Sequence, residues 1–140
     1  MNTDNLRPEL RCAIEAAQNK KAAGVTLLDL TDLGAFTGHF LICTAFSKPQ
    51  VAAIADEIEG QLHQLGLRLE HREGRNEAEW VLLDYGSFLV HIFTERARLF
   101  YDLERLWRPA KKIVLPDVDS APMGASGEGT GTARQAKEAD

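Results

Sequence analysis

Long apolar runs are missing from this chain. No stretch approaches the ~18 consecutive apolar residues that would cross a bilayer, and residues 1–24 lack the apolar centre of a secretory signal. A membrane-spanning helix is therefore excluded, and a soluble, cytoplasmic protein is expected. Cysteine is scarce: Cys12 and Cys43 form no metal-type pair and no disulfide framework, which suits a reducing compartment. Positive charge is also in short supply. Sixteen Lys and Arg stand against 21 Asp and Glu, giving a net charge of −5 and a pI of about 5.4. General nucleic-acid binding needs a basic face to neutralise phosphates, so that class is set aside. Phosphate-cradling loops are absent too: the chain has neither Gly-x-Gly-x-x-Gly nor Gly-x-x-x-x-Gly-Lys. Its four histidines (His39, His63, His71 and His91) show no His-x-x-x-His or His-x-x-Glu-His spacing, so no metal or other cofactor is expected.

What is present suffices for one domain. The chain has 140 residues, of which 44% are hydrophobic. Residues 1–115 are read as that domain. Residues 116–140 are read as a disordered tail, because from Asp117 onward there is no Leu, Ile, Phe or Trp to offset ordering entropy.

Within the domain, Leu6, Leu10, Ile14 and Ala17 have helical spacing, with Pro8 in the first turn and Gly24 as the expected C-terminal cap. Val25 to Leu30 and Phe40 to Thr44 read as strands, the second buried on both faces. Ser47 and Gln50 have capping-box spacing. They open a helix whose stripe runs Val51, Ile54, Ala55, Ile58, Leu62 and Leu65 and stops at Gly66. Leu67 to His71 is a candidate third strand. Trp80 to Leu83 and Phe88 to Phe93 are expected to pair antiparallel across the turn Asp84-Tyr85-Gly86-Ser87. Thr94 caps a last helix, Glu95 to Trp107, ended by Pro109. The order α-β-β-α-β-β-β-α predicts an α/β or α+β fold in which helices flank one sheet.

Two catalytic constellations are weighed, and one set of residues is left over. Cys43, Asp84 and His91 have the residue types of a nucleophile–base–orienter triad, but Cys43 sits inside an apolar strand, where thiols are inert. Asp29 and Asp32 are a poor metal pair for nucleotide transfer, since Asp32 lies beyond the strand. Aromatic residues set among charges remain, a composition typical of protein interfaces: Trp80, Tyr85, Tyr101 and Trp107, with Asp84 and His91 beside them.

These residues carry a resemblance. The run from Glu79 to Gly86 (Glu-Trp-Val-Leu-Leu-Asp-Tyr-Gly), then Val90-His91-Ile92-Phe93, then Arg98 to Trp107 (Arg-Leu-Phe-Tyr-Asp-Leu-Glu-Arg-Leu-Trp) is similar to the signature of the iojap-related ribosomal silencing factor family. Phe40 to Thr44 and Gln50 to Glu57 resemble that family's second strand and second helix. The likeness runs from about Leu6 to Trp107 in constant order. Gly38, His39 and Ser87 depart from it, standing where the family commonly has Asp, Tyr and Asp.

The resemblance implies a mixed sheet related to nucleotidyltransferases but without their catalytic residues, and a protein that is not an enzyme. It implies binding to the large ribosomal subunit through ribosomal protein number fourteen, at the face that meets the small subunit. Joining is then blocked and translation falls when nutrients are short. It also implies a homodimer when free. Trp80, Asp84, Tyr85, His91 and Tyr101 are the expected partner-binding residues. A large-subunit assembly factor and a metal-dependent nucleotidyltransferase-like enzyme are the alternatives.

Overall fold

Two apolar strands lie at the centre because both their faces are covered. β2 (His39–Ala45) and β5 (Phe88–Thr94) are buried along nearly their whole length, and in the computed structural model they pair parallel, with Ile42 opposite His91 and Cys43 opposite Ile92. The described residues are 6–75 and 77–116. β1 (Ala23–Asp29), β3 (His71–Glu73), β4 (Trp80–Asp84) and β6 (Lys111–Val114) complete a six-stranded sheet in the order β3-β4-β5-β2-β1-β6. Every pairing other than β2–β5 is antiparallel.

Side chains alternate across this sheet, so each central strand feeds two cores. One face packs Leu27, Leu41, Val81, Leu83, Val90 and Ile92 against α1 (Pro8–Asn19) and α2 (Lys48–Gln64). The other packs Leu28, Phe40, Ile42, Leu89 and Phe93 beneath two short helices, α3 (Glu95–Tyr101) and α4 (Leu103–Leu106). The fold is a mixed α+β sheet flanked by helices, as expected.

The capping signals hold. Ser47 Oγ accepts from Gln50 N–H at 3.2 Å, and Thr94 Oγ1 accepts from Ala97 N–H at 3.3 Å. Gly66 follows the end of α2 with φ +85°, and its N–H reaches the His63 carbonyl at 2.9 Å.

Four expectations need correction. Gly24 is not the cap of α1. Lys21, at φ +64°, takes the left-handed position after α1, while Gly24, at φ +56°, lies inside β1, where the register with β2 shifts. The third strand is His71–Glu73 rather than Leu67 to His71, because Leu67 and Leu69 pack by side chain ahead of the ladder. The helix expected over Glu95 to Trp107 breaks at Asp102, which adopts φ +50°. A sixth strand, Lys111–Val114, pairs with β1 and carried no sequence signal. The tail expected over 116–140 lies, after Pro116, outside the described residues.

Candidate interaction surface

Alternation on β4 and β5 sets which candidate residues meet. Trp80 pairs with Phe93 and Leu82 with His91, which places Trp80 and His91 on the α3–α4 face. Trp80 Nε1–H donates to His91 Nδ1 at 3.1 Å. That bond requires a lone pair on Nδ1, so the neutral imidazole carries its proton on Nε2. His91 is 4% exposed, and burial pushes its pKa down from 6.5 to about 4. Phe40 meets the His91 ring edge-on at 4.6 Å, and Tyr101 lies 4.5 Å from Trp80, ring centre to centre. Trp107 closes on Phe40 at 5.6 Å, so one aromatic layer runs from Trp107 through Phe40, His91 and Trp80 to Tyr101.

The structure thus brings Trp80, His91 and Tyr101 together. Asp84 and Tyr85 are at the other end of β4, about 13 Å along the strand at ~3.3 Å per residue. Asp84 Oδ1 accepts from Gly86 N–H at 2.8 Å and shapes the turn. Tyr85 is 8% exposed and belongs to the α1–α2 core, stacked on Phe88 at 5.2 Å. Burial, with Glu59 nearby, raises its hydroxyl pKa to about 12. As placed, neither Tyr85 nor His91 presents an accessible contact.

Sequence reasoning missed the exposed part of this surface. In one unbroken helix Leu99, Phe100, Leu103, Leu106 and Trp107 fall within about 120° of arc and read as a single buried stripe. The break at Asp102 splits that stripe. Leu103 and Trp107 turn onto the sheet, while Leu99, Phe100 and Leu106 remain 82%, 79% and 71% exposed, beside a half-exposed Tyr101. A left-handed aspartate has no distinctive sequence signal, so this patch becomes visible only in three dimensions.

The two catalytic constellations do not assemble. Cys43 faces the α1–α2 core and His91 the opposite side of the sheet, and burial lifts the Cys43 thiol to about 12. Asp29 Oδ1 accepts from both N–H and Oγ1–H of Thr31, which hold its carboxyl below its usual pKa, while Asp32 pairs with Lys111 at 3.6 Å. Among the described residues no three His, Cys, Asp or Glu side chains are grouped to hold a metal, and no helix is long and apolar enough to cross a membrane.

Gly38, His39 and Ser87, which depart from the family pattern, line one open cleft of about 700 Å³ with Arg7 and Phe36. Gly38 N–H donates to the Ser87 carbonyl at 3.0 Å, and a Cβ on Gly38 would lie 3.1 Å from that oxygen. Burial lowers the pKa of His39, opposed by Asp29 with its Oδ1 at 3.9 Å.

A single-domain α+β protein with an aromatic layer opening onto an exposed apolar patch is the class these features define. Its lineage comes from comparison. The family model described as "Ribosomal silencing factor during starvation" matches residues 3–140. A ribosomal silencing factor of Bacillus subtilis is 38% identical over 115 residues, covering 82% of this chain and 95% of that protein. The chloroplast protein Iojap of Arabidopsis thaliana is 31% identical over 107 residues, covering 76% of this chain and 44% of that one. A crystal structure of a Chromobacterium violaceum protein superposes with a TM-score of 0.69 at 32% identity, covering 71% of this chain and 83% of the other. This chain belongs to the ribosomal silencing factor family.

Proposed function

We propose that this protein docks in the cytoplasm on the large ribosomal subunit, through ribosomal protein number fourteen, and occupies the face where the small subunit joins. Occupancy alone then lowers translation, with no turnover. The observation that supports this reading is the exposed surface of Leu99, Phe100, Tyr101 and Leu106 in a chain of this family. Monomeric soluble proteins seldom leave such side chains clustered in water, and aromatic anchors dominate interface energetics. Trp80 and Tyr101 are assigned as anchors and Asp84 as a polar contact at the rim. His91 and Tyr85 act from beneath, His91 by holding Trp80 and Tyr85 by supporting the turn. In the free protein a second copy covers the same patch.

Co-sedimentation with isolated large and small subunits, followed by addition of the missing subunit, tests this. Stable association with the large subunit alone, and fewer joined ribosomes as protein is titrated in, is the expected result. No association at physiological salt would overturn it. Tyr101→Ala, which removes a half-exposed ring from the edge of the aromatic layer, is expected to weaken large-subunit binding tenfold or more in a variant that still folds, on the scale of about 1.4 kcal/mol or above for an interface anchor.

A further inference from the structure

The helix bearing the exposed patch also carries a guanidinium that faces away from it. The Arg98 side chain is only 16% exposed, and all five of its N–H groups find acceptors. Nε and Nη2 form a bidentate pair with Glu104, at 3.1 and 3.0 Å. Nη1 donates to the Gly24 carbonyl at 2.6 Å and to Thr44 Oγ1 at 3.0 Å, and Nη2 donates to Thr26 Oγ1 at 3.1 Å. The acceptors therefore come from β1, β2 and α4, while the donor sits on α3. Thr26 and Thr44 are buried hydroxyls on an otherwise apolar sheet face. Gly24 leaves room for the group, since a Cβ there would lie 2.9 Å from Nη1.

The helices it joins are weak on their own. α3 has seven residues and α4 four, too few to persist in water without tertiary support. Ala97 is the one fully buried side chain of α3, and α4 has none. Between them Asp102 holds a left-handed backbone, a conformation disfavoured for a residue with a Cβ and kept here by its surroundings. The Asp102 N–H bonds to the Arg98 carbonyl at 3.0 Å. The kink is thus tied to Arg98 through its backbone and, by way of Glu104, through its side chain.

We propose that Arg98 is the positioning residue of the docking surface. By bonding to the sheet and, across the kink, to Glu104, it fixes the direction of α3 relative to α4. Leu99, Phe100, Tyr101 and Leu106 then stand as one preformed surface before the large subunit arrives. Arg98 itself touches no partner. This inference rests on the docking function proposed above. A lysine keeps the charge but has one ammonium, which cannot span Glu104 and both strands as the planar fork does. If the productive arrangement becomes a minor one, apparent affinity falls by its fractional population.

The test uses the full chain with Arg98→Lys and, separately, Glu104→Gln. Hydrogen exchange is followed over residues 95–107 and over β2 and β5, and binding kinetics are measured on isolated large subunits. Arg98→Lys preserves net charge, so long-range steering is unaltered. The expected result is exchange over 95–107 faster by about tenfold or more with β2 and β5 unchanged, and association slowed about tenfold with dissociation unaltered. Leu99→Ser, which removes a direct contact, should speed dissociation instead. A purely structural role for Arg98 would lower the melting temperature and leave both rates alone. Wild-type rates in folded Arg98→Lys, or a loss confined to dissociation, overturn the proposal. Should Arg98→Lys not fold, Glu104→Gln carries the same comparison, with association read at high salt so that its lost charge does not alter steering. If the wild-type chain does not bind large subunits, the docking function falls, and hydrogen exchange alone decides the role of Arg98: unchanged protection of 95–107 overturns it.

Discussion

Trp80 leans on an imidazole that has to stay neutral. Protonating His91 would place a charge in an apolar layer, and that burial is why its folded pKa lies near 4 rather than 6.5; it would also take the Nδ1 lone pair from the Trp80 bond. The unfolded chain therefore binds a proton that the folded chain refuses between those values. Stability from this residue is complete above about pH 6.5 and is lost as pH falls toward 4, for a total on the order of 3 kcal/mol. His91→Asn, whose Oδ1 can accept from Trp80, is expected to flatten the fall in unfolding free energy between pH 6.5 and 4 relative to wild type, as read by urea denaturation at each pH. An equal pH slope in both proteins would remove His91 from this role. At this scale the sequence was informative about identity and silent about side. Tyr85 and His91 stand out as aromatic and polar residues in strands and a turn. Which core each enters depends on strand pairing that a single sequence does not display.

Elements whose ends are marked by side-chain chemistry were the legible ones. Ser47 and Gln50 announce α2, and the structure gives Gln50 more tasks than its spacing suggests. Its Oε1 accepts from Phe46 N–H at 2.8 Å, and its Nε2 donates to the carbonyls of Lys20 and Lys21 at 3.0 and 3.2 Å, tying the end of α1 to the start of α2. Ser47→Ala is expected to cost about 1 kcal/mol, the usual value of an N-cap. Gln50→Ala removes three further hydrogen bonds and should cost more, about 2 kcal/mol even with solvent competing. Chemical denaturation of the two variants gives the order, and a larger loss for Ser47→Ala would contradict it. The elements that escaped notice lack such marks. β6 is four residues long, begins with two lysines and has no alternating stretch to announce it. The helix break at Asp102 falls inside an apolar stripe whose spacing reads as continuous, and β3 is displaced because Leu67 and Leu69 are apolar without being laddered.

Over the whole molecule the notable quantity is where charge sits. Of 21 acidic and 16 basic residues, six acids (Asp4, Asp117, Asp119, Glu128, Glu138, Asp140) and two bases (Arg134, Lys137) fall outside the described residues. The folded part thus holds 15 acids and 14 bases and is nearly neutral, so most of the net charge of −5 belongs to the C-terminal segment. Attraction to a basic ribosomal partner would then come chiefly from that segment, while the α3–α4 patch supplies the contact. A chain ending at Pro116 is expected to associate with large subunits more slowly than the full chain, and with a weaker dependence on salt between about 0.05 and 0.2 M. Stopped-flow association at both salt levels measures this, and identical slopes would place the steering in the domain instead.

The short outermost strand β6 has a further consequence. Without it β1 would be the sheet's border, and Val25, Leu27 and Leu28 would stand beside a row of unpaired amides and carbonyls open to the same strand of another copy. β6 occupies that row and offers in its place an edge with Lys111 and Lys112 in solvent, where a like-charged neighbour is repelled. Four residues near the end of the domain thus guard a strand near its beginning. A chain whose synthesis halts before Lys111 would leave that border unguarded and prone to aggregation.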